Sequence, residues 1–592
     1  MMSGPGTSGL QSSVQSRRAL PQANRSGPPA TRRKSTMKNA VAALSLIACA
    51  CPAAVIAADR ADSVYLNGRI YTVDESQPWA EAVAVLGDRI AFVGSNAAAR
   101  DFIGPATRTI DLQGRMVMPG IHDAHTHLLW ASMHRRYGCR LEDQETVAGI
   151  VATLQQCAKG RDPREWLVAS PYDYTFFPDH RPHRKWLDQA FPDTPVFLRH
   201  FSFHHALLNT RALQVVGIDK ATPNPDKGRI VKDENGEPTG ELVEEAVLLA
   251  QRFLPPDSAE QQLEALRWAV RVNNQYGITS IQEAASSRAA LTGLNALDRD
   301  QELMLEVAAH LTWGSPRFGG VPNEALEALI DDRAKYQTAH VRTDFVKMTI
   351  DGVPLPPHFT EAGIDDHCQV DLGHVFIPPG KVAEMVTRFD QAGIKVKMHV
   401  TGAGAARVAL DAVEAARKAN PQSTIRHDLA HTNIIAPRDL ARFTQLNVVG
   451  EMSPSVWHLF GRTLGQPPQP AWQFRTLLDH GVLLTVGSDW VVTPTPNLFP
   501  GLQGILLRGE ESVDLASALR MLTINGAISI GLEQTQGSIE RGKLANFIVL
   551  DRNLFTVPAT DVAETRVLRT VFEGQVVYEA GEAAAERRQV PD

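Results

Sequence analysis

Imidazoles and a carboxylate at the ends of short apolar runs carry most of the chemistry this chain can offer. His125-Thr126-His127 closes the run MPGIHDAHTH. Two histidines one residue apart on a strand point to the same side, because side chains alternate with period two, and neutral imidazoles so placed are natural ligands of one ion. His399 ends IKVKMHVTG, His431 ends the apolar part of TIRHDLAHTN, and Asp489 closes LLTVGSDW. These add two nitrogens and an oxygen, a donor set that suits one or two divalent ions, zinc first among them. Taken singly, each histidine is an ordinary surface or hydrogen-bonded residue, so the case rests on all five falling at strand ends. Lys347, late in FVKMTIDG, has two readings. It is either an ion-pair partner, or a lysine of depressed pKa that reacts with carbon dioxide to give a carbamate, an anionic ligand able to bridge two metals.

Such a set needs a scaffold that brings distant strand ends together. Between about 119 and 530 the chain alternates apolar strand-like runs with amphipathic stretches such as EALEALIDDRAKY and PGKVAEMVTRFDQAG, the texture of a parallel α/β domain. There are eight strand candidates: the five runs above together with GITSIQEA, EVAAHLTW and NVVGEMSPS. Eight such units predict a closed (β/α)8 barrel, a TIM barrel over 119–535, whose chemistry sits at the carboxyl ends of its strands. About 150 residues separate the first two strands, too many for one loop, which predicts an inserted subdomain over roughly 135–270. Both chain ends read as short alternating strands. Hairpins are expected at Asn67-Gly68, Gly87-Asp88 and Glu573-Gly574, and 58–118 with 536–585 are expected to form one composite β-sandwich, leaving 586–592 as a tail.

The 592 residues carry 59 Lys plus Arg against 66 Asp plus Glu, a net charge of −7. Residues 1–57 hold seven of the bases and no acid, so the remainder carries −14. An acidic body argues against nucleic acid as a partner. Residues 1–36 have the composition of a disordered leader, and 37–57 (MKNAVAALSLIACACPAAVIA) have the layout of a secretory signal peptide. A periplasmic or secreted enzyme is expected, with no membrane attachment after cleavage; a lipoprotein anchored at Cys49 is the alternative. Cys139 and Cys157 flank a segment that can form a helix, and are either disulfide-bonded or two separate thiols. The expected partner is a small-molecule substrate, and self-association stays open.

The motifs together resemble the metal-dependent amidohydrolase superfamily, in its amidohydrolase 3 or YtcJ-like branch. The likeness covers about 60–585 and rests on MPGIHDAHTH, PVFLRHFSFHHALLNTRAL, GEPTGELVEEA, GITSIQEA, VKMTIDG, KMHVTGAG, IRHDLAH, VGSDW and GSIERGKLANFIVLD. The resemblance implies that His125, His127 and Asp489 hold a first metal, that His399 and His431 hold a second, and that Lys347 is the carboxylated bridge. It also implies that Asp489 is the general base for a metal-activated water attacking a carbonyl. His204 and Asn209 match a family segment, His204 as a catalytic or oxyanion contact or else a structural residue, and Asn209 as a substrate contact. Asp351, Glu283 and Glu244 match acidic positions of the pattern, Asp351 being read as substrate-binding. Trp457, His458 and Trp490 follow strand ends and are read either as pocket lining or as ordinary rim side chains. Ala403 and Ala430 stand where family members carry carboxylates, which bears on substrate class more than on hydrolysis. The expected activity is hydrolysis of a C–N bond in an amide, N-formyl or cyclic amide compound. The alternatives are a mononuclear deaminase, an ester or lactone hydrolase on the same barrel, or a periplasmic binding protein without catalysis.

Overall fold

The computed structural model describes residues 60–141, 145–314, 321–456 and 471–581. The leader, the signal peptide and the C-terminal tail lie outside the described residues, as do Trp457 and His458. The chain folds as a (β/α)8 barrel with additional sheets. Its strands are β1 (Ile121–Thr126), β2 (Ile278–Ser286), β3 (Glu306–Thr312), β4 (Val341–Thr349), β5 (Lys395–His399), β6 (Asp428–Ala430), β7 (Val449–Met452) and β8 (Leu483–Val486). They pair in chain order and in parallel. Strands covered on both faces tolerate near-continuous apolar runs, and β1, β2, β3, β5, β6 and β7 are buried at every position. Helices such as Arg288–Arg299, Pro379–Gln391 and Ala403–Ala419 turn their apolar stripes onto this cylinder. Closure is made just beyond β8. Asp489 N donates to His125 O at 2.7 Å and His127 N to Trp490 O at 3.1 Å, so the seam of the barrel is stitched by the residues that carry the expected ligands.

Both chain ends build two further sheets. One has the order Arg89–Gly94, Ala82–Leu86, Ser63–Leu66, Arg108–Asp111; the other joins Gln575–Glu579, Val567–Phe572 and Phe547–Leu550 to Met116–Pro119, Arg69–Tyr71 and Trp79–Ala80. Tyr65, Val83, Val117, Phe547 and Val571 share one core with residues from both sheets and both termini. The turns at Gly87-Asp88 and Glu573-Gly574 are antiparallel hairpins. Asn67-Gly68 is not. Ser63–Leu66 and Arg69–Tyr71 lie in different sheets, so this turn passes the chain between layers. The space explains the glycine: a Cβ at Gly68 would sit 2.6 Å from a Leu112 methyl.

The insertion after β1 contains a six-stranded sheet with the order Cys139–Arg140, Leu167–Tyr172, Val196–His200, His205–Leu208, Pro238–Glu244, Gly228–Lys232. It ends short of residue 270, because helix Ala259–Gln275 puts Ala265, Leu266 and Ala269 into the barrel core. Cys139 and Cys157 form a disulfide across helix Val147–Cys157. Closing a loop of 18 residues removes unfolded-state entropy worth about 3 kcal/mol. Cys157→Ser is therefore expected to lower the unfolding free energy by about that amount, read as an earlier denaturant midpoint; an unchanged midpoint would show that the bond does not constrain the unfolded chain.

Candidate metal centre

His125, His127 and Asp489 bring one ligand atom each to within 4.8 Å of one another, and all three are buried. β1 supplies His125, the residue just past its end supplies His127, and the chain just past β8 supplies the carboxylate. Asp489 has φ 52° and His431 φ 69°, a left-handed conformation that non-glycine residues adopt at a cost and that here turns both side chains inward. Asp489 Oδ1 stands 3.5 Å from His127 Nε2. Burial holds the His125 imidazole well below its ordinary pKa and His127 at about 3, with Lys347 adding to both shifts. Both rings are thus neutral near pH 7 and keep a lone pair for a metal. Burial also pushes Asp489 up to about 7, against the pull of Lys347.

The remaining expected ligands line the same hollow. The His431 ring lies 4.6 Å from those of both His125 and His399. His399 Nε2 donates to Gly352 O at 3.1 Å. Lys347 Nζ is buried 3.2 Å from His125 Nε2, and burial, aided by Lys397, draws its ammonium down to about 7. The donor chemistry therefore fits a divalent ion at His125, His127 and Asp489, with further donors beside it.

Several residues expected at the substrate stand elsewhere. Asn209 is fully buried and its amide is used up by backbone. It accepts from Val196 N and from Ala212 N as the N-cap of helix Thr210–Val216, and donates to Phe191 O and Thr194 O. It is a structural cap, not a substrate contact. Asp351, equally buried, accepts from the backbone N–H groups of Ala362, Thr401 and Gly402, so it braces the loop after β5 and has no face left for substrate. Trp490 is 1% exposed and packs in the barrel core against Trp268, away from any rim. His204 does come to the centre. Its ring is 5.6 Å from His399, and its Nδ1 is held by the Glu244 carboxylate at 2.9 Å. Glu283 accepts from Leu128 N at 2.5 Å and so caps the helix that follows His127.

Two positioning carboxylates were not singled out from the sequence. Glu451, inside the fully buried β7, meets His125 Nδ1 at 2.5 Å. That bond fixes the tautomer, leaving the Nε2 lone pair for an ion. Asp123 accepts from Ser488 N and Oγ and from His125 N, binding the metal strand to the loop that carries Asp489. A signal existed for each: Glu451 is an ionisable residue in an otherwise apolar buried strand, and Asp123 shares the face of His125 by alternation.

A model of the amidohydrolase family matches residues 108–578. The chain belongs to the amidohydrolase family. It is a hydrolase acting on carbon–nitrogen bonds, in a metal-dependent family. The N-substituted formamide deformylase of Arthrobacter pascens is 28% identical over 538 residues, which cover 88% of this chain and 98% of that protein. Protein LONG AFTER FAR-RED 3 of Arabidopsis thaliana is also 28% identical, covering 89% and 92%, and the putative amidohydrolase YtcJ of Bacillus subtilis is 26% identical, covering 87% and 99%. Among solved structures, an uncharacterized metal-dependent hydrolase from Pyrococcus horikoshii shares the fold of this amidohydrolase with a TM-score of 0.65 at 20% identity, covering 84% of this chain and 99% of that one.

Proposed function

We propose that this amidohydrolase is an exported zinc enzyme that cleaves an amide, N-formyl or cyclic-amide C–N bond in a small molecule, with Asp489 as the proton-transfer group. The observation that carries the reading is the gathering of His125, His127 and Asp489 into one buried donor set. The likeness to a formamide deformylase over nearly the whole chain supports the bond type. Export is supported by the leader sequence and by the Cys139–Cys157 bond, since disulfides persist in oxidising compartments; no helix among the described residues is long and apolar enough to cross a membrane.

An ion held by these ligands supplies Lewis-acid chemistry, lowering the pKa of water towards neutrality and polarising a carbonyl oxygen. The chain supplies the rest. Asp489 accepts the proton of the attacking water and returns it to the departing nitrogen, so that C–N cleavage does not expel an amide anion. Glu451 keeps His125 in the tautomer that leaves Nε2 unprotonated. His204, oriented by Glu244 and beside His399, can donate to the oxygen that gains charge as an imidazolium, with one N–H on the Glu244 carboxylate and the other on that oxygen. His399 and His431 would hold a second ion, and Lys347, once carboxylated, would supply an anionic oxygen ligand beside them.

The test is a screen of zinc-reconstituted protein across N-formyl amines, N-acyl amines, cyclic imides and lactones. Turnover confined to lactones or esters, or absent throughout, would sink the C–N reading. Metal analysis is expected to find two ions per chain in the unaltered enzyme and one in Lys347→Ala. One ion in both would instead favour a mononuclear enzyme built on His125, His127 and Asp489 alone.

A further inference from the structure

A cavity of about 520 Å³ lies between the hairpin Gly228–Lys232/Pro238–Glu244 of the insertion and the loop after β4, which carries the short hairpin Pro354–Leu355/His358–Phe359. Glu244 and Thr360 form part of its wall. Glu244 is the carboxylate that holds His204, so the cavity abuts the metal centre through one carboxylate–imidazole pair. Resting on the reading proposed above, we infer that this cavity is the subsite for an anionic, carboxylate-bearing arm of the substrate, with Arg229 and Lys227 supplying the charge.

The cavity's cations are oriented by hydrogen bonds to neutral groups. Arg229 donates to His358 Nδ1. The other nitrogen of that ring, Nε2, meets Glu241 at 2.8 Å, and the buried Glu241 also accepts from the Tyr174 hydroxyl. A proton on Nε2 leaves Nδ1 to accept, so a tyrosine–glutamate–histidine relay rooted in the buried Tyr174 and Glu241 orients the guanidinium at the cavity edge. Lys227 Nζ donates to Leu372 O and Gly373 O at 2.9 and 3.1 Å, anchored by neutral carbonyls only. Among the described residues neither cation makes an ion pair. On the acidic side, Glu244 is engaged by His204 and Thr360 and Glu241 by His358 and Tyr174, while Asp226 is the exposed carboxylate of the wall. Phe359 and Phe376 complete the lining with apolar surface. A guanidinium with a free edge, a second cation and flanking phenyl rings recognise a carboxylate on an aliphatic or aromatic stem.

The test compares N-formyl-6-aminohexanoate with N-formylhexylamine, which differ in the carboxylate. The unaltered enzyme is expected to favour the acid by about tenfold in kcat/KM, a charge-assisted contact being worth that much. The preference should vanish in the Arg229→Ala, Lys227→Ala double variant and reverse in Arg229→Glu. A ratio near one in the unaltered enzyme, or one that Arg229→Glu leaves unmoved, overturns the inference. Calorimetric titration of the metal-loaded protein with hexanoate and hexanamide separates this from failure of the hydrolase reading. With no turnover of any formamide, a hexanoate preference abolished by Arg229→Glu upholds the subsite and rejects the activity; equal binding of the two probes rejects the subsite.

Discussion

Asp489→Asn is expected to lower kcat by about 10³-fold, within the range that a positioned proton-transfer group contributes, while leaving the protein folded. The expectation of an intact fold has a local cause. Asp489 has φ 52°, and asparagine is among the few residues enriched in that left-handed region. The backbone bond from its N–H to His125 O, which helps close the barrel, involves no side-chain atom. Asn also keeps an oxygen where Oδ1 faces His127. What disappears is the negative charge and the ability to take a proton, so the defect belongs in kcat and must persist at saturating zinc. The measurement is steady-state kinetics with metal content and thermal midpoint recorded on the same samples. A kcat within about tenfold of the parent, with metal bound, would show that another group carries the proton, and the His204–Glu244 pair would be next to examine.

The contrast between what the chain reveals before and after folding follows from how information is stored in it. The eight strands were legible because a parallel strand covered on both faces must be a nearly unbroken apolar run, and polar residues stand out where those runs end. His125, His127 and Asp489 were visible for that reason, each at or just past the end of such a run. Asn67-Gly68 misled because turn chemistry reports that the chain reverses and not which strands it then pairs, and both strands had partners on other sheets. Asn209 and Asp351 misled for a related reason: a polar residue in a family-like motif has the same letter whether it faces a substrate or caps backbone. Only the tally of backbone N–H groups around it decides. The Arg229–His358–Glu241 relay joins residues from the insertion and the β4 loop that are more than a hundred positions apart, and no local pattern marks such a pair.

Glu451→Gln is expected to weaken zinc binding by about ten- to a hundredfold while sparing the chemistry, the effect typical of losing the partner behind a metal-bound histidine. Glu451 is fully buried and its Oε2 lies 2.5 Å from His125 Nδ1, while Ser453 Oγ donates to Oε1 at 3.2 Å. Burial pushes its carboxyl up to about 7, and the neighbouring Lys397 and Lys347 work against that shift. Glutamine matches the shape, and its carbonyl oxygen can still accept from Nδ1–H, so the imidazole keeps its tautomer. The lost charge makes Nε2 a weaker donor. Excess zinc should therefore restore most of kcat, whereas no concentration of zinc should rescue Asp489→Asn. Glu451→Leu removes the acceptor as well, leaving the buried Nδ1–H unpaired at about 1–3 kcal/mol, and should fall below Gln in both zinc affinity and thermal midpoint. Zinc activation curves for the two variants separate the roles. Parental affinity in Glu451→Gln would mean that the His125–Glu451 bond stabilises the barrel without tuning the ligand, and a kcat loss that zinc cannot restore would place Glu451 in the proton path beside Asp489.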